Sequence, residues 1–222
     1  MNKLLSQAIL KFLFGLTAVA GLIFLPAGTV LYFQGLLLMG ILFVPILIAG
    51  IVMLIKSPQL LEKRLNGKEK QKEQKTVLFF SAIMFIGGFV LSGLGIRFSW
   101  YILPRSVSVF FAIVFLAGYL LYAEVMRENT YLSRTVEVQQ GQRVIDTGLY
   151  GIVRHPMYSV TLLLFLSMPL VLGSLYAFIV FLIYPVLIVK RIKAEEELLE
   201  RELDGYCEYK KKVKYRLIPF VW

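Results

Sequence analysis

Long apolar runs with almost no charged residues are the feature that most limits what this chain can fold into. Blocks of 16 to 26 such residues recur along the 222-residue sequence, whose mean hydropathy is +0.74. A helix needs about 20 apolar residues to cross a bilayer, and it satisfies its own backbone hydrogen bonds there. Hydrophobic residues make up 58% of the chain, above the roughly 45–50% of soluble domains. The sequence therefore predicts an all-α, polytopic membrane protein.

The apolar runs predict about six transmembrane helices. The predicted spans cover residues 8–25, 30–55, 76–96, 106–126, 156–172 and 174–190. Only Gly173 and Ser174 separate the last two, which must form a tight, short antiparallel hairpin. In the third span, Gly88 and Ser92 stand four residues apart, a spacing that lets membrane helices approach closely. Two regions follow: a four-span region, 1–126, and a C-terminal region, 127–222.

The net charge of +10 comes from basic residues placed mainly in loops and in the tail. Such placement is the positive-inside pattern, so we expect both termini and the loop over residues 56–75 to be cytoplasmic. The residues after 191 predict a cytoplasmic amphipathic tail on the membrane surface. No nucleic-acid motif accompanies the positive charge. One cysteine, Cys207, and one histidine exclude an intrachain disulfide and a zinc site built of these residues.

A polar stretch, GQRVIDTGLYGIVRHPMY over residues 141–158, joins the apolar halves and holds the one histidine, His155. Pro156 suits the first position of a helix, and a proline keeps the preceding residue out of the helical conformation. His155 is therefore predicted as the last extended residue before a helix. The unpaired N–H groups of that helix start, with Arg154 beside them, suit an anion. The simpler alternative is an interfacial anchor and cap.

A second polar cluster follows the last predicted span. Arg191 and Glu195 are four residues apart on one helix face, with Glu196 adjacent. Taken alone, they are an ordinary surface ion pair. The short hairpin, however, brings them to the same membrane edge as Arg154 and His155. A site with both signs of charge and an apolar approach fits a zwitterionic, cationic cofactor and a lipid-like substrate.

Together these residues resemble a known family. The chain contains Gly148-x-Tyr150-x-x-x-Arg154-His155-Pro156-x-Tyr158, Arg191-x-x-x-Glu195-Glu196-x-x-Leu199, and Tyr206-x-x-Tyr209 with a later Pro219. This pattern is similar to that of the isoprenylcysteine carboxyl methyltransferases and their prokaryotic relatives, and membrane phospholipid N-methyltransferases share it. The resemblance covers roughly residues 136–219. The segment between Glu195 and Tyr206 is a residue shorter than is typical, which leaves the register of Tyr206 and Tyr209 open.

The resemblance implies S-adenosylmethionine (SAM) as the cofactor. By position, the family's cofactor contacts fall on Gln142, Arg143, Val144, Ile145, Tyr150, His155, Pro156, Met157, Tyr158 and Glu195. The family's substrate-carboxylate arginine falls on Arg191, so Arg191 and Glu195 are the implied catalytic residues, with no metal. The residue chemistry agrees, because the ammonium and sulfonium of SAM suit a carboxylate such as Glu195. No Rossmann glycine fingerprint is present, so the cofactor site is of another design.

The acceptor that best fits these residues is a carboxylate on a lipophilic, prenylcysteine-like molecule that enters from the bilayer. An ionised carboxylate needs no general base, and Arg191 is suited to hold it by a charge-assisted pair. An amine acceptor would have to lose a proton, and an arginine beside it would not help. Two alternatives remain: a phospholipid or other small-lipid N- or O-methyltransferase, and a non-catalytic membrane protein that keeps the fold. The expected location is the plasma membrane of a prokaryote or the endoplasmic reticulum of a eukaryote, with a cytoplasmic active site.

Overall fold

The computed structural model describes residues 2–66, 72–132 and 137–222. Within these residues the secondary structure is helical, with one turn of 3-10 helix at Gly148–Gly151 and no strand. The α-helices are α1 (Asn2–Ala27), α2 (Phe33–Lys56), α3 (Pro58–Asn66), α4 (Lys72–Arg97), α5 (Arg105–Glu128), α6 (Pro156–Val171), α7 (Leu175–Phe181), α8 (Ile183–Glu202) and α9 (Tyr206–Lys212). The predicted all-α class is confirmed.

Several of these helices are long and apolar enough to cross a membrane, which makes this a multi-pass integral membrane protein. The five candidate spans are Lys3–Ala27, Phe33–Lys56, Lys75–Arg97, Arg105–Glu128 and Leu175–Glu202. Helix α6 has 16 residues and is shorter, as predicted for the first arm of the hairpin. The last run continues well past the predicted end at Lys190. Arg191 and Glu195 therefore lie on the helix that continues directly from the apolar segment.

The second arm of the hairpin is divided between α7 and α8, which are separated by Leu182 alone. Pro185 lies in the first turn of α8, where a missing N–H costs no helical hydrogen bond. The helix of the second arm is therefore interrupted just before this proline. Pro169 lies near the end of α6, and Pro45 lies inside α2, which continues through it.

The turn between α6 and α7 is as tight as the sequence predicts. Ser174 caps α7, because its Oγ accepts a hydrogen bond from the N–H of Ala177 at 3.2 Å. The carbonyl of Gly173 accepts one from the N–H of Leu103 at 2.9 Å, which ties the turn to the loop before α5. Helix α6 packs on α5, and α7 packs on α4. The start of α6 and the later turns of α8 consequently meet at one end of the helix bundle.

Small residues on α4 give the close helix packing that their spacing predicts. A Cβ added at Gly93 would overlap the carbonyl of Ile23 and come within 3.0 Å of the N–H nitrogen of Ala27. A Cβ added at Gly88 would overlap the ring of Phe181. Glycine at these two positions therefore lets α4 lie against α1 on one side and α7 on the other.

The tail after α8 folds back onto the loop that precedes α6. Four of its residues form a small apolar cluster: Leu203, Tyr206, Tyr209 and Val213. Val138 and Val144 of the loop pack against this cluster. The tail therefore packs on this loop, and its placement on a membrane surface stays a prediction. In the loop over residues 56–75, α3 forms a short helix, and residues 67–71 lie outside the described residues.

Candidate active site

The polar stretch before α6 is anchored to the end of α5 by a carboxylate. Glu128 Oε2 accepts a hydrogen bond from the N–H of Leu149 at 2.9 Å. Gly148 precedes this contact with φ of +52°, a left-handed conformation that glycine adopts without strain. A Cβ at Gly148 would also overlap the Glu128 carboxylate. The turn residues of this stretch therefore fix its entry into the site.

Helix α6 begins as the His-Pro pair predicts. His155 is the N-cap residue, with φ −126° and ψ 59°, and Pro156 is the first helical residue. The N–H groups at this start are largely used within the protein. The N–H of His155 donates to the carbonyl of Arg216 at 2.9 Å, and the N–H of Tyr158 donates to the carbonyl of His155 at 3.0 Å. The helix start is thus joined to the tail.

Arg154 does not take the role that we expected from the sequence. The expectation was a full positive charge beside the helix start, available to an anion. Instead, the side chain is buried, and its Nε donates to Glu196 Oε1 at 2.7 Å. Its Nη1 donates to the carbonyls of Val213 at 2.7 Å and Lys214 at 2.8 Å. A buried guanidinium needs such partners, and these come from distant parts of the chain that local sequence does not reveal.

Glu196 is the centre of this buried network. Its relative exposure is 3%. Besides Arg154, it is contacted by Arg216, whose Nε donates to Oε2 at 2.8 Å. The third partner is His155, whose Nε2 lies 3.2 Å from Oε1. Three partners compensate the charge of this buried carboxylate, which therefore holds the helix start, α8 and the tail together.

Glu195 faces a different environment from its neighbour. Its side chain is 24% exposed, and its Oε2 accepts a hydrogen bond from the hydroxyl of Tyr158. The same hydroxyl accepts one from Arg191 Nε at 2.8 Å. Tyr158 therefore links the two residues that the sequence identified as a possible surface ion pair. His155 Nδ1 is 3.9 Å from Glu195 Oε1, too long for a hydrogen bond.

A cavity of about 670 Å³ opens between these side chains, a volume within the range of small-molecule sites. Almost all of the predicted site residues line it: Gln142, Arg143, Val144, Ile145, Tyr150, His155, Met157, Tyr158, Arg191 and Glu195. Pro156 is not among the lining residues, since it is buried at the helix start. The structure thus brings the predicted residues together, and their individual roles stay predictions.

The same cavity continues among apolar helices. Its apolar lining includes Leu42, Val77, Phe85, Phe115, Leu164, Phe165, Met168 and Ile188, from α2, α4, α5, α6 and α8. Polar side chains therefore line one part of a single cavity and hydrocarbon side chains line another. This combination suits a molecule with a polar head and an apolar tail, as we expected from the sequence.

Tyr150 belongs to the polar part of the cavity. Burial raises the pKa of its hydroxyl to about 12, and the hydrogen bond with the Asn129 side chain only partly offsets this. The hydroxyl is therefore neutral at physiological pH. The carbonyl of Tyr150 accepts a hydrogen bond from the Tyr209 hydroxyl at 2.7 Å. Tyr206 and Tyr209 both line the cavity and are buried.

Several lining residues were missed by sequence reasoning. They include Arg64 of α3, Tyr119 and Tyr122 of α5, Asn129 and Tyr131. The sequence carries one usable signal, the polar run that directly follows the fourth span. Glu124, near the end of α5, is partly exposed and pairs with Arg127 at 2.6 Å. Arg216 gave no signal, because nothing in the tail sequence indicates that it reaches Glu196.

The comparison with known protein families places a similarity between α5 and α8. Residues 109–201 match the isoprenylcysteine carboxyl methyltransferase (ICMT) family. This segment contains the start of α6, Arg191 and both glutamates. It does not contain α9 or the tail.

Two curated relatives are sterol reductases. The Delta(14)-sterol reductase TM7SF2 of Mus musculus is 33% identical over 91 residues, which are 40% of this chain and 22% of that protein. The Delta(14)-sterol reductase of Methylotuvimicrobium alcaliphilum is 26% identical over 93 residues, again 40% of this chain and 22% of that protein. The matched part spans only about a fifth of the length of each relative.

Proposed function

We propose that the protein is a SAM-dependent membrane methyltransferase, on the premise that residues 109–201 match the isoprenylcysteine carboxyl methyltransferase family. Its acceptor is the carboxylate of a lipophilic, prenylcysteine-like molecule. The observation that carries the proposal is the chain of contacts Arg191–Tyr158–Glu195 on the wall of one cavity. In this chain of contacts, Arg191 is the cation for the acceptor, and Glu195 beside it is the carboxylate for the cofactor.

The side chains around the polar part of the cavity fit SAM. The cofactor carries an ammonium, a sulfonium and a carboxylate. Glu195 is partly exposed at the cavity and would hold the cationic groups. Arg143 and the backbone of residues 142–145 would hold the carboxylate, and Tyr150 would lie against the adenine. Arg154 is left out of this set because its Nε and Nη1 donors are engaged with Glu196 and the tail.

When bound, SAM supplies a methyl group on a positively charged sulfur, a group that an ionised carboxylate can accept without a proton transfer. The residues of the chain therefore bind and orient, and none needs to act as a base. Arg191 would hold the acceptor carboxylate, with its own orientation fixed by the hydrogen bond to Tyr158. The apolar lining from α4 to α6 would hold the lipid part and exclude water.

The activity is tested with the purified protein in lipid and methyl-labelled SAM. We expect label to enter a base-labile ester on a prenylcysteine with a free carboxylate. The same prenylcysteine as its methyl ester, and a phospholipid amine, serve as matched acceptors that should stay unlabelled. Label in the phospholipid would instead favour the phospholipid methyltransferase alternative. Failure of the wild type to bind S-adenosylhomocysteine would reject SAM use.

The role of Arg191 is tested by Arg191→Lys, since lysine keeps the charge but loses the planar two-point geometry. We expect turnover to fall by about tenfold or more, the equivalent of one charge-assisted hydrogen bond. The affinity for S-adenosylhomocysteine should change by less than about twofold. Lys193→Arg, an exchange at an exposed position of the same helix, serves as the control. Wild-type turnover, or a parallel loss of cofactor affinity, would reject the acceptor role.

A second candidate is a sterol reductase, because both relatives named above are Delta(14)-sterol reductases. A reductase of this kind would use NADPH, a cofactor with several phosphate charges. The cavity lining carries charges of both signs, with Arg143 and Arg191 as well as Glu137 and Glu195, so the choice between the two cofactors is left to experiment. The discriminating assay follows NADPH oxidation with a sterol that carries the 14-double bond. Sterol-dependent oxidation, without methyl transfer, would replace the methyltransferase proposal.

We place the site on the cytoplasmic side of the plasma membrane or endoplasmic reticulum. The motivation is the positive-inside distribution of charge. Cys207 is the only cysteine and is exposed on α9, close to Tyr206 and Tyr209 of the cavity. A membrane-impermeant maleimide should therefore label it in inside-out vesicles and not in intact cells. Labelling from outside intact cells would reject this orientation.

A further inference from the structure

The single histidine lies between the two adjacent glutamates of α8. His155 Nε2 is 3.2 Å from Glu196 Oε1, whereas its Nδ1 is 3.9 Å from Glu195 Oε1. The imidazole is almost completely buried, with 4% of its side chain exposed, and it lines the cavity. Each ring nitrogen therefore has a different partner, and only the Nε2 contact is a hydrogen bond.

Glu196 can only accept hydrogen bonds in its ionised form, so the nitrogen that faces it must carry a proton. The same Oε1 already accepts from Arg154 Nε at 2.7 Å, and Oε2 accepts from Arg216 Nε at 2.8 Å. Two guanidinium partners keep the carboxylate ionised and fixed. In a neutral imidazole, a proton on Nε2 leaves Nδ1 with a lone pair.

We propose that Glu196 is a positioning residue that keeps neutral His155 protonated at Nε2, so that the lone pair of Nδ1 and the carboxylate of Glu195 together bind a cationic N–H donor. The other tautomer would put a proton on Nδ1 and leave Nε2 as an acceptor facing a carboxylate, an arrangement that repels. A doubly protonated ring would be positively charged and would repel a cationic ligand. The buried network thus makes the ring nitrogen that faces Glu195 a hydrogen-bond acceptor.

The ligand group that fits these two acceptors is a primary ammonium. For the identity of the cation, the inference rests on the proposed function, in which the ammonium of SAM occupies the site. The tautomer itself does not depend on that function. The tail stabilises this arrangement. Arg216 holds Glu196 in place, and the carbonyls of Val213 and Lys214 hold Arg154.

The tautomer is measured directly by nitrogen-15 NMR of the imidazole. His155 is the only histidine of the chain, so one labelled residue gives an unambiguous spectrum once any histidine tag is removed. In the wild-type protein at neutral pH we expect a protonated Nε2 and an unprotonated Nδ1. Adding S-adenosylhomocysteine, which carries the same ammonium, should shift the Nδ1 resonance and leave Nε2 nearly unchanged. A protonated Nδ1 in the free protein would overturn the proposal.

The role of Glu196 is tested with Glu196→Gln, which keeps the shape and removes the charge. We expect the two tautomers to become mixed, and the affinity for S-adenosylhomocysteine to fall about tenfold, the equivalent of one weakened charged hydrogen bond. Glu197→Gln makes the same change at an exposed position of the same helix and should alter neither. An unchanged tautomer in Glu196→Gln would reject the positioning role. If this variant fails to fold, the wild-type spectrum still decides the tautomer.

The two proposals fail in different ways. A wild-type protein that shows the expected tautomer but does not bind S-adenosylhomocysteine would reject SAM use and leave the role of Glu196 intact. A wild-type protein that binds S-adenosylhomocysteine with a proton on Nδ1 would reject the role of Glu196 and leave the methyltransferase proposal intact.

Discussion

The first two helices expose apolar side chains on their outer faces, whereas the segment around the start of α6 buries charged and polar ones. In the most apolar 18-residue stretches of α1 and α2, only 6% and 11% of the residues are buried within the protein. Phe14, with 75% of its surface exposed, is typical of their outward face. Around α6, by contrast, the buried side chains include Arg154, His155 and Glu196, each at most 5% exposed.

The difference shows that two kinds of force hold this protein together. The outer faces of α1 and α2 have hydrocarbon as their partner, so a change among apolar side chains there alters few internal contacts. The region around α6 buries charges, and each charge depends on partners from α8 and from the tail. Loss of one partner leaves another charge uncompensated. Substitutions should therefore be tolerated in the first region and costly in the second.

The largest expected effect is that of Arg154→Ala. The change removes one partner of Glu196 and leaves the carbonyls of Val213 and Lys214 without their donor. Breaking a buried pair in this way costs about 3–5 kcal/mol. Chemical unfolding in detergent micelles measures the free energy, and Arg201→Ala, at a mostly exposed arginine of α8, is the control. A loss below about 1 kcal/mol would show that the network does not hold the tail.

The next effect separates Glu195 from Glu196. Glu195→Ala should leave the unfolding free energy nearly unchanged because the side chain is partly exposed. It should weaken the binding of S-adenosylhomocysteine by about 10- to 100-fold, since a charged hydrogen bond contributes roughly 1.5–3 kcal/mol. Calorimetry on Glu195→Ala and on Glu197→Ala, at an exposed position, makes the comparison. Equal affinities in the two variants would contradict the cofactor role.

A smaller effect is expected in the first region, where Gly93 of α4 lies close against α1. Gly93→Ala places a Cβ against the backbone of Ile23 and Ala27, and overpacking of this kind costs about 1–3 kcal/mol. Gly87 lies on the same helix, and a Cβ added there would have no atom within 4 Å. Gly87→Ala should therefore be neutral, or stabilising by up to about 1 kcal/mol. Equal unfolding free energies for the two variants would contradict the close contact.

The smallest effect is expected on the outward face of α1. Phe14→Leu should change the free energy of unfolding by less than about 0.5 kcal/mol, because the ring contacts lipid in both the folded and the locally opened state. The same exchange at Phe115, which is fully buried, should cost about 1 kcal/mol or more. Similar values at the two positions would show that exposure to lipid does not lower the cost of the exchange.

Local properties of the sequence were enough to predict most of the helices and the start of the site. Apolar length predicted the spans, and Pro156 predicted where α6 begins, because both effects act within a few neighbouring residues. The motif positions also predicted part of the cavity lining, including His155, Tyr158, Arg191 and Glu195. The helix that carries Arg191 and Glu195 was also predicted, since the charged residues after Lys190 keep helical spacing and continue the same helix to Glu202.

The partners of the charged side chains were decided by the tertiary structure alone. Glu195 and Glu196 are adjacent and chemically identical in the sequence, yet a helix turns them about 100° apart. One therefore faces the cavity, and the other faces Arg154 and Arg216. Which residue faces which way depends on how α8 is rotated against α6 and on where the tail returns. The sequence determined which charges this protein has, and the packing of distant segments decided which of them are left for a ligand.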